Sequence, residues 1–172
     1  MNIFFLDRDP RLAAEYHGDR HVVKMVLETA QLLSTAHRVL DADIETRPAL
    51  HEKMYRATHR NHPVSVWVRA SYCNYFWALR LYDALLDEFF YRRKKHHKSG
   101  LLKEYLNEVP MNLYPKQHLN RITPPPLAMP EEFKRDDLVE SYRNYYVDKY
   151  HQGIVRYDWR RPMPDWLRER LA

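Results

Sequence analysis

The stretch that decides the fold is "YHGDRHVVKMVLETAQLLSTAHR", Tyr16 to Arg38. When each residue turns by ~100°, as in an α-helix, its apolar and polar side chains separate onto two faces. The apolar face contains Val22, Val26, Ala30 and Leu33, and the polar face contains His21, Lys24, Glu28, Gln31 and Thr35. This pattern predicts a long amphipathic helix that continues to residues 37–40.

The chain before this helix contains an apolar run and a helix start. "MNIFFL" at residues 1–6 is short enough to be a strand or a buried extended arm. Asp9 followed by Pro10 is typical of a helix N-cap and first turn. Gly18 leaves two alternatives: the helix runs through it, or a first helix ends there and Asp19 caps the next one.

Further helices are predicted at about residues 49–58, 64–91 and 136–151, from the same periodicity. The intervening "VPMNLYPKQHLNRITPPPLAMPEEF" is rich in proline and is expected to cross the surface as an extended segment. The predicted fold is therefore mainly α: a single compact helical domain over residues 1–172, with a short N-terminal extended arm and a proline-rich surface segment.

Composition narrows the class of protein. The chain has 172 residues, of which 45% are hydrophobic, which suits one globular domain. Three glycines argue against a glycine-rich phosphate loop, and the single Cys73 excludes an internal disulfide. No apolar run approaches the ~20 residues that cross a bilayer, and no signal peptide is recognisable. A cytoplasmic protein without a membrane partner is predicted.

The formal net charge of +5 favours a polyanionic partner, with nucleic acid first. No cofactor is predicted. The sequence leaves the oligomeric state open.

The polar face of the long helix is the first candidate site. It brings a base, an amine and a carboxylate into register, which is the mixture that acid–base chemistry needs. The candidate catalytic residues are His17, Asp19, His21, Lys24 and Glu28. The alternative is that this face simply points to water. His37 lies on the apolar side and is interpreted as a hydrogen-bonded core residue.

A metal site is a further alternative, because two histidines four residues apart can bind a divalent ion. His17 and His21 have this spacing, and His59 and His62 could complete the ligand set. Glu28 lies two turns from His21, which is far for a third ligand on the same helix.

Two other segments carry candidate nucleic-acid contacts. "YRRKKHHKS" is a basic cluster that either complements the helix dipole or contacts phosphates. "YRNYYVDK" interleaves aromatic residues with cations, which suits base stacking or covers the core with tyrosines. Trp67 and Trp77 are explained by packing, whereas Asn74 between them either braces a loop or lines a pocket. The candidate nucleic-acid-binding residues are His62, Asn74, Arg92, Arg93, Lys94, Lys95, Lys98, Tyr142, Arg143, Tyr145, Tyr146 and Lys149.

Four segments together resemble a family of small bacteriophage proteins of uncharacterised function: "YHGDRHVVKMVLETAQLLSTAHR", "NHPVSVWVRASYCNYFWAL", "AMPEEFKRDD" and "YRNYY". More distantly, "AAEYHGDRH" and "YRNYYVDK" resemble the early "AEY" segment and the aromatic, lysine-containing tail of the phage-type pyrimidine-dimer DNA glycosylase, endonuclease V. That enzyme is similarly small, basic and helical.

The glycosylase resemblance implies an N-terminal amine that forms an imine with the sugar, and a catalytic glutamate. In the present chain Asn2 follows Met1, and a second residue of this size should leave Met1 in place. The glutamate has no residue-for-residue match in this chain: Gly18 lies nearest, with Asp19 adjacent, so Asp19 or Glu28 would take that role.

The predicted function is an enzyme that acts on bases in DNA, by excision or modification, in a phage-type setting in the host cytoplasm. Glu28 or Asp19 would stabilise positive charge on the sugar, His17 and His21 would shuttle protons, and Lys24 would supply an amine for a lyase step. The alternatives are a non-catalytic protein that binds DNA or RNA, and a metal-dependent phosphohydrolase.

Overall fold

A computed structural model describes residues 1–42, 52–116 and 121–172, and seven α-helices lie entirely within these ranges. In chain order they are α1 (Pro10–Tyr16), α2 (Asp19–Leu40), α3 (Pro63–Val68), α4 (Tyr72–Arg93), α5 (Lys103–Asn107), α6 (Leu138–His151) and α7 (Asp165–Leu171). The described ranges contain no strand, so the predicted mainly α class is confirmed.

The first two helices meet at Gly18. Helix α1 begins at Pro10 with Asp9 as its N-cap, as predicted, and ends at Tyr16. Gly18, rather than Asp19, is the N-cap residue of α2. A Cβ atom at Gly18 would stand 2.7 Å from Val155 Cγ1, so the close approach of the C-terminal segment leaves no room for a side chain.

Helix α2 is the centre of the molecule. It packs against α4, α3 and the turn at Lys98–Leu102, and α1 also packs against α4. Side chains on most sides of α2 are buried, because the core surrounds it rather than covering one face. Its buried residues include Val22, Met25, Val26 and Leu33.

The predicted continuous helix at 64–91 is wrong in one respect, because the chain breaks between α3 and α4. Ser71 has an extended backbone and its side chain accepts the N–H of Asn74, which starts a new helix. The side chain of Asn74 in turn donates to the carbonyl of Trp67, at 3.0 Å, in the last turn of α3.

The predicted helix at 49–58 is only partly testable, since residues 49–51 lie outside the described ranges. Residues 54–58 are not helical, which corrects that prediction. The carbonyls of Met54 and Tyr55 accept hydrogen bonds from Arg38, and the N–H of Thr58 donates to Thr35 Oγ1. Backbone groups of this segment therefore hydrogen bond to side chains of α2 instead of to each other in a helix.

Residues 1–6 form a buried arm rather than a strand. Ile3, Phe4, Phe5 and Leu6 are all core residues. Residues 121–130 of the proline-rich segment have no regular secondary structure. The side chain of Asn2 donates to the carbonyl of Ala128 at 2.9 Å, so the arm and this segment are held together.

Candidate functional site

The five candidate catalytic residues fall into two environments. His17, Asp19 and His21 are buried, with at most 4% of the surface of each residue exposed. The Lys24 side chain is 59% exposed and the Glu28 side chain 14% exposed. Helix α2 therefore divides the predicted site into a part inside the fold, at its N-terminus, and a part at the surface two turns further on.

Both buried histidines contact the ring of Tyr146, but only His21 is close enough to its hydroxyl to hydrogen bond. His17 Nδ1 donates to the Ala13 carbonyl at 2.6 Å, and His21 Nδ1 lies 3.0 Å from the hydroxyl of Tyr146. That hydroxyl also accepts the N–H of Gly18 at 2.7 Å. Burial lowers the pKa of His17 to about 3 and that of His21 to about 4, the latter assisted by the positive charges of Lys24 and Lys149.

Asp19 is fixed in a buried ionic network. Its Oδ1 accepts from Arg92 at 2.9 Å, and its Oδ2 accepts the backbone N–H groups of Asp158 and Trp159 at 2.6 and 3.0 Å. Arg92 also donates to Glu88, which binds Arg161 through both carboxylate oxygens. The network joins α2, α4 and the C-terminal segment, so Asp19 has a structural role in tying these elements together.

Glu28 is the carboxylate that remains accessible. Its Oε2 accepts the backbone N–H of Asn2 at 3.1 Å, and its Oε1 lies 3.5 Å from Lys24 Nζ. These two contacts hold the carboxylate at the edge of the N-terminal arm, beside the exposed ammonium group of Lys24. A half-buried carboxylate beside an amine can stabilise a developing positive charge or accept a proton from water.

His62 lies within electrostatic range of Glu28. Burial lowers the pKa of His62, as do the positive charges of the Met1 amine and of His59, while Glu28 has the opposite effect. His62 is also the N-cap of α3, because its Nδ1 accepts the N–H of Val64 at 3.2 Å. An accepting Nδ1 assigns the proton of the neutral ring to Nε2, which leaves Nε2–H as a hydrogen-bond donor.

The buried and accessible parts are joined by the arm. Phe4 stacks on His21 with ring centroids 4.7 Å apart, while Asn2 caps Glu28 further along α2. Phe4 has a backbone φ of 42°, which is unfavourable for a bulky residue. The side-chain oxygen of Asn2 accepts the N–H groups of Ile3 and Phe4, and these bonds help to hold that conformation.

An aromatic series continues from Phe4 toward the surface. Tyr145 stacks on Phe4 with centroids 6.1 Å apart, and Phe133 lies 5.3 Å from Tyr145. Lys149 Nζ lies 4.5 Å from the Tyr145 ring centroid. Tyr145 and Lys149, both candidate nucleic-acid contacts, are half-buried beside the buried histidines.

The other candidate nucleic-acid-binding residues differ in how far their side chains are exposed to solvent. Arg93, Lys94, Lys95 and Lys98 are exposed, and Arg143 and His62 are half-buried. The buried members are Asn74, Arg92, Tyr142 and Tyr146.

The buried members have internal partners. Asn74 braces a loop by hydrogen bonding to the backbone N–H and the hydroxyl of Thr123, one of its two predicted roles. The Tyr142 hydroxyl donates to the carbonyl of Pro126 at 2.7 Å. His37, as predicted, is a core residue, and its Nε2 lies 2.9 Å from the Tyr75 hydroxyl.

The four histidines considered as metal ligands do not form one centre. His17 and His21 lie in the core, while His59 and His62 flank the start of α3. Over residues 1–42, 52–116 and 121–172, no group of three or more His, Cys, Asp or Glu side chains is arranged to hold a metal ion.

The residues that sequence reasoning missed are Asn2 and Phe4. Both contact the polar face of α2 from the N-terminal arm, and the bond from Asn2 to Glu28 spans 26 positions. Neither periodicity nor local composition contains a signal for such a contact. The positive φ of Phe4 is a property of the folded chain alone.

In the part of the chain that the structure describes, no helix combines the length and the apolar character needed to cross a bilayer. No protein-family model matches the chain, and no curated protein or solved structure is significantly similar to it.

Proposed function

We propose that the protein is a DNA base-acting enzyme of glycosylase type, with Glu28 as its catalytic carboxylate. The observation that carries this proposal is the position of Glu28. Its carboxylate is half-buried, receives the Asn2 N–H at 3.1 Å and has the Lys24 ammonium 3.5 Å away. These contacts support a functional role, because the same carboxylate is not used to hold helices together as Asp19 is.

The chemistry follows from the charges. When a glycosidic C–N bond breaks, the bonding electron pair leaves with the base and positive charge develops on the sugar. Glu28 stabilises that charge and accepts a proton from the water that adds to the sugar carbon. His62 is a neutral imidazole with its proton on Nε2, which suits hydrogen bonding to the departing base as negative charge accumulates there.

Lys24 gives the site a second possible step. An amine at this position can add to the opened abasic sugar, lose water to form an imine, and promote elimination of the 3′ phosphate. Modification of a base without excision uses the same carboxylate and imidazole. The exposed cations Arg93, Lys94, Lys95 and Lys98 support a role in holding the strand.

The decisive variant is Glu28→Gln, which keeps the shape of the side chain and its ability to accept the Asn2 N–H. We expect single-turnover cleavage of labelled duplexes, each with one damaged or modified base, to fall by about 10²–10⁴-fold. DNA affinity, measured by fluorescence anisotropy, should change little. Glu169→Gln, at an exposed position on α7, is the matched control and should retain full turnover.

Borohydride trapping on abasic DNA tests the lyase step separately. A covalent adduct that disappears in Lys24→Ala, but persists in Glu169→Gln, supports the amine role of Lys24. Turnover that is equal in wild-type protein and Glu28→Gln contradicts the proposal for the carboxylate.

A second candidate function is non-catalytic binding of DNA or RNA. It is favoured by the burial of His17, Asp19 and His21, which serve the fold, while the exposed cations remain available. This function predicts tight binding of single-stranded DNA or RNA with no product from any modified duplex, and no effect of Glu28→Gln on either measurement.

A further inference from the structure

A leucine projects from the turn that follows α4. Leu101 lies in the 3-10 turn Lys98–Leu102 and is 78% exposed, more than any other large hydrophobic side chain within the described residues. Exposed leucines are common singly, but the surroundings of this one are also apolar. Phe90, on the last turn of α4, is 44% exposed.

The turn that carries Leu101 is rigidly anchored. The hydroxyl of Tyr82 donates to the Ser99 carbonyl at 2.6 Å, and the hydroxyl of Tyr55 lies 2.9 Å from Ser99 Oγ. Gly100 packs so closely on α4 that a Cβ atom there would stand 3.3 Å from Leu86 Cδ2. The backbone next to Leu101 is therefore held in place, which lowers the entropy cost of ordering this turn when a partner binds.

Two grooves flank Leu101. One, of about 380 Å³, is lined by Leu86, Phe90, His96 and Leu101 among others, and the second, of about 370 Å³, is lined by Tyr55, Leu101, Leu102 and Tyr105 with neighbouring lysines. We call the surface formed by Tyr55, Leu86, Phe90, Leu101, Leu102 and Tyr105 the Leu101 patch. Apolar atoms predominate in both grooves, which suits side chains of a protein better than a phosphate backbone.

The groove beside Tyr55 has a basic rim, formed by Lys53 and Lys98. In the other groove Lys103 is paired with Asp83 at 3.1 Å, and Asp87 is the acidic residue of the lining. A second copy of the chain docked symmetrically about the groove beside Tyr55 would bring Lys53 and Lys98 close to their own equivalents, which opposes self-association there. An acidic partner is favoured by the same charges.

We propose that the Leu101 patch binds an acidic amphipathic helix of a partner protein, with Leu101 inserted between its apolar side chains and the lysines on the rim paired with its carboxylates. Helices are recognised in this way through apolar residues at i, i+3, i+4 and i+7. The patch contains none of the residues assigned to the Glu28 site, and Lys98 on its rim is the one residue that it shares with the cations proposed to hold a nucleic-acid strand.

The test uses a fluorescein-labelled synthetic helical peptide with leucines at i, i+3, i+4 and i+7 and glutamates on its flanks. We expect saturable binding to the full-length protein in fluorescence polarisation. Leu101→Asp should weaken it about tenfold or more, because this residue is at the centre of the contact. Ile154→Asp, at a hydrophobic position that is 40% exposed elsewhere, should leave binding unchanged.

Peptide variants and two further measurements distinguish an acidic helix from nucleic acid and from a second copy of the chain as the ligand of the Leu101 patch. A peptide with the same composition but scattered leucines, and one with lysines in place of glutamates, should both fail to bind. The proposal is overturned if the acidic peptide does not bind, or binds Leu101→Asp as tightly as the wild-type protein. It is also overturned if Leu101→Asp instead abolishes binding of a single-stranded oligonucleotide, or abolishes a dimer seen in sedimentation equilibrium.

Discussion

Arg92 and Arg93 are sequence neighbours with opposite environments. The Arg92 side chain is fully buried and bonds to Asp19, Glu88 and the carbonyl of Glu15. Arg93 is exposed, and its guanidinium carbon lies 4.5 Å from the centroid of the Trp159 ring. The basic cluster therefore contains one structural arginine and a set of surface cations, although all of them look alike in the sequence.

Replacement of each arginine by methionine separates these roles. Arg92→Met leaves the buried Asp19 carboxylate without its charged partner, while Glu88 keeps Arg161, and should lower the free energy of unfolding by about 3–5 kcal/mol. Arg93→Met should change it by about 0.5 kcal/mol or less. Urea denaturation, followed by circular dichroism, measures both values.

The same pair gives a readout of nucleic-acid binding. If Arg93 contacts phosphate, Arg93→Met should reduce the slope of log K against log salt for single-stranded DNA by about 0.7. Arg92→Met, assayed at a temperature where it is folded, should leave the slope unchanged. A reduced slope in Arg92→Met alone would contradict the separation of roles.

At the scale of elements, the N-terminal arm covers part of the polar face of α2. It supplies the Asn2 N–H to Glu28 and the Phe4 ring to His21, and it binds the proline-rich segment through Ala128. The polar face of α2 is therefore not open to water along its whole length, because the arm covers part of it. On this face Lys24, Glu28 and Gln31 keep accessible side chains, whereas His21 and Thr35 are buried.

Asn2→Ala tests the function of the arm as an element. The substitution removes the side-chain bonds to the N–H groups of Ile3 and Phe4 and to the Ala128 carbonyl, and should cost about 1–3 kcal/mol. Hydrogen exchange should accelerate at residues 3–6 and 127–129 but not within α2, whose amides are bonded along the helix.

Asn61→Ala, at an exposed position before α3, is the control and should leave exchange in the arm unchanged. Equal acceleration throughout the chain in Asn2→Ala would indicate that the arm is part of the global fold and not a separate element.

At the scale of the whole molecule, two buried neutral histidines make the fold sensitive to acid. The pKa of His17 is lowered to about 3 and that of His21 to about 4, mainly by burial, whereas both return to ordinary values near 6.5 on unfolding. The unfolded chain therefore binds more protons than the folded one between pH 4 and 6.5. Stability from this source is complete above pH 6.5 and is lost as the pH falls.

We expect the free energy of unfolding to fall by up to about 1.4 kcal/mol per pH unit for each of these histidines between pH 6 and pH 5, with a smaller contribution from His21 as the pH approaches its folded-state pKa of about 4. Urea denaturation at pH 7, 6, 5 and 4.5 measures this slope. His17→Gln should reduce this slope by the contribution of one histidine. His151→Gln, at an exposed position on α6, should leave the slope unchanged. A slope that is unaffected by His17→Gln would show that carboxylates, not this histidine, cause the acid sensitivity.

By itself the sequence determined the helical class, the start of α1, the end of α2 and the core position of His37, because helix periodicity and capping depend on residues within about four positions of each other. It also identified Asn74 as a residue that needs partners. It could not predict the break between α3 and α4, where a serine cap and an asparagine side chain replace helical bonds.

Only the tertiary structure decided which polar residues of α2 are accessible. Asp19 is occupied by a residue 73 positions away, and the arm reaches Ala128 across 126 positions. Contacts over such separations depend on how the helices pack, and a helical wheel assigns the same face to a residue whether a neighbour covers it or not. For that reason the candidate site contracts from five residues on one face to the accessible group around Glu28.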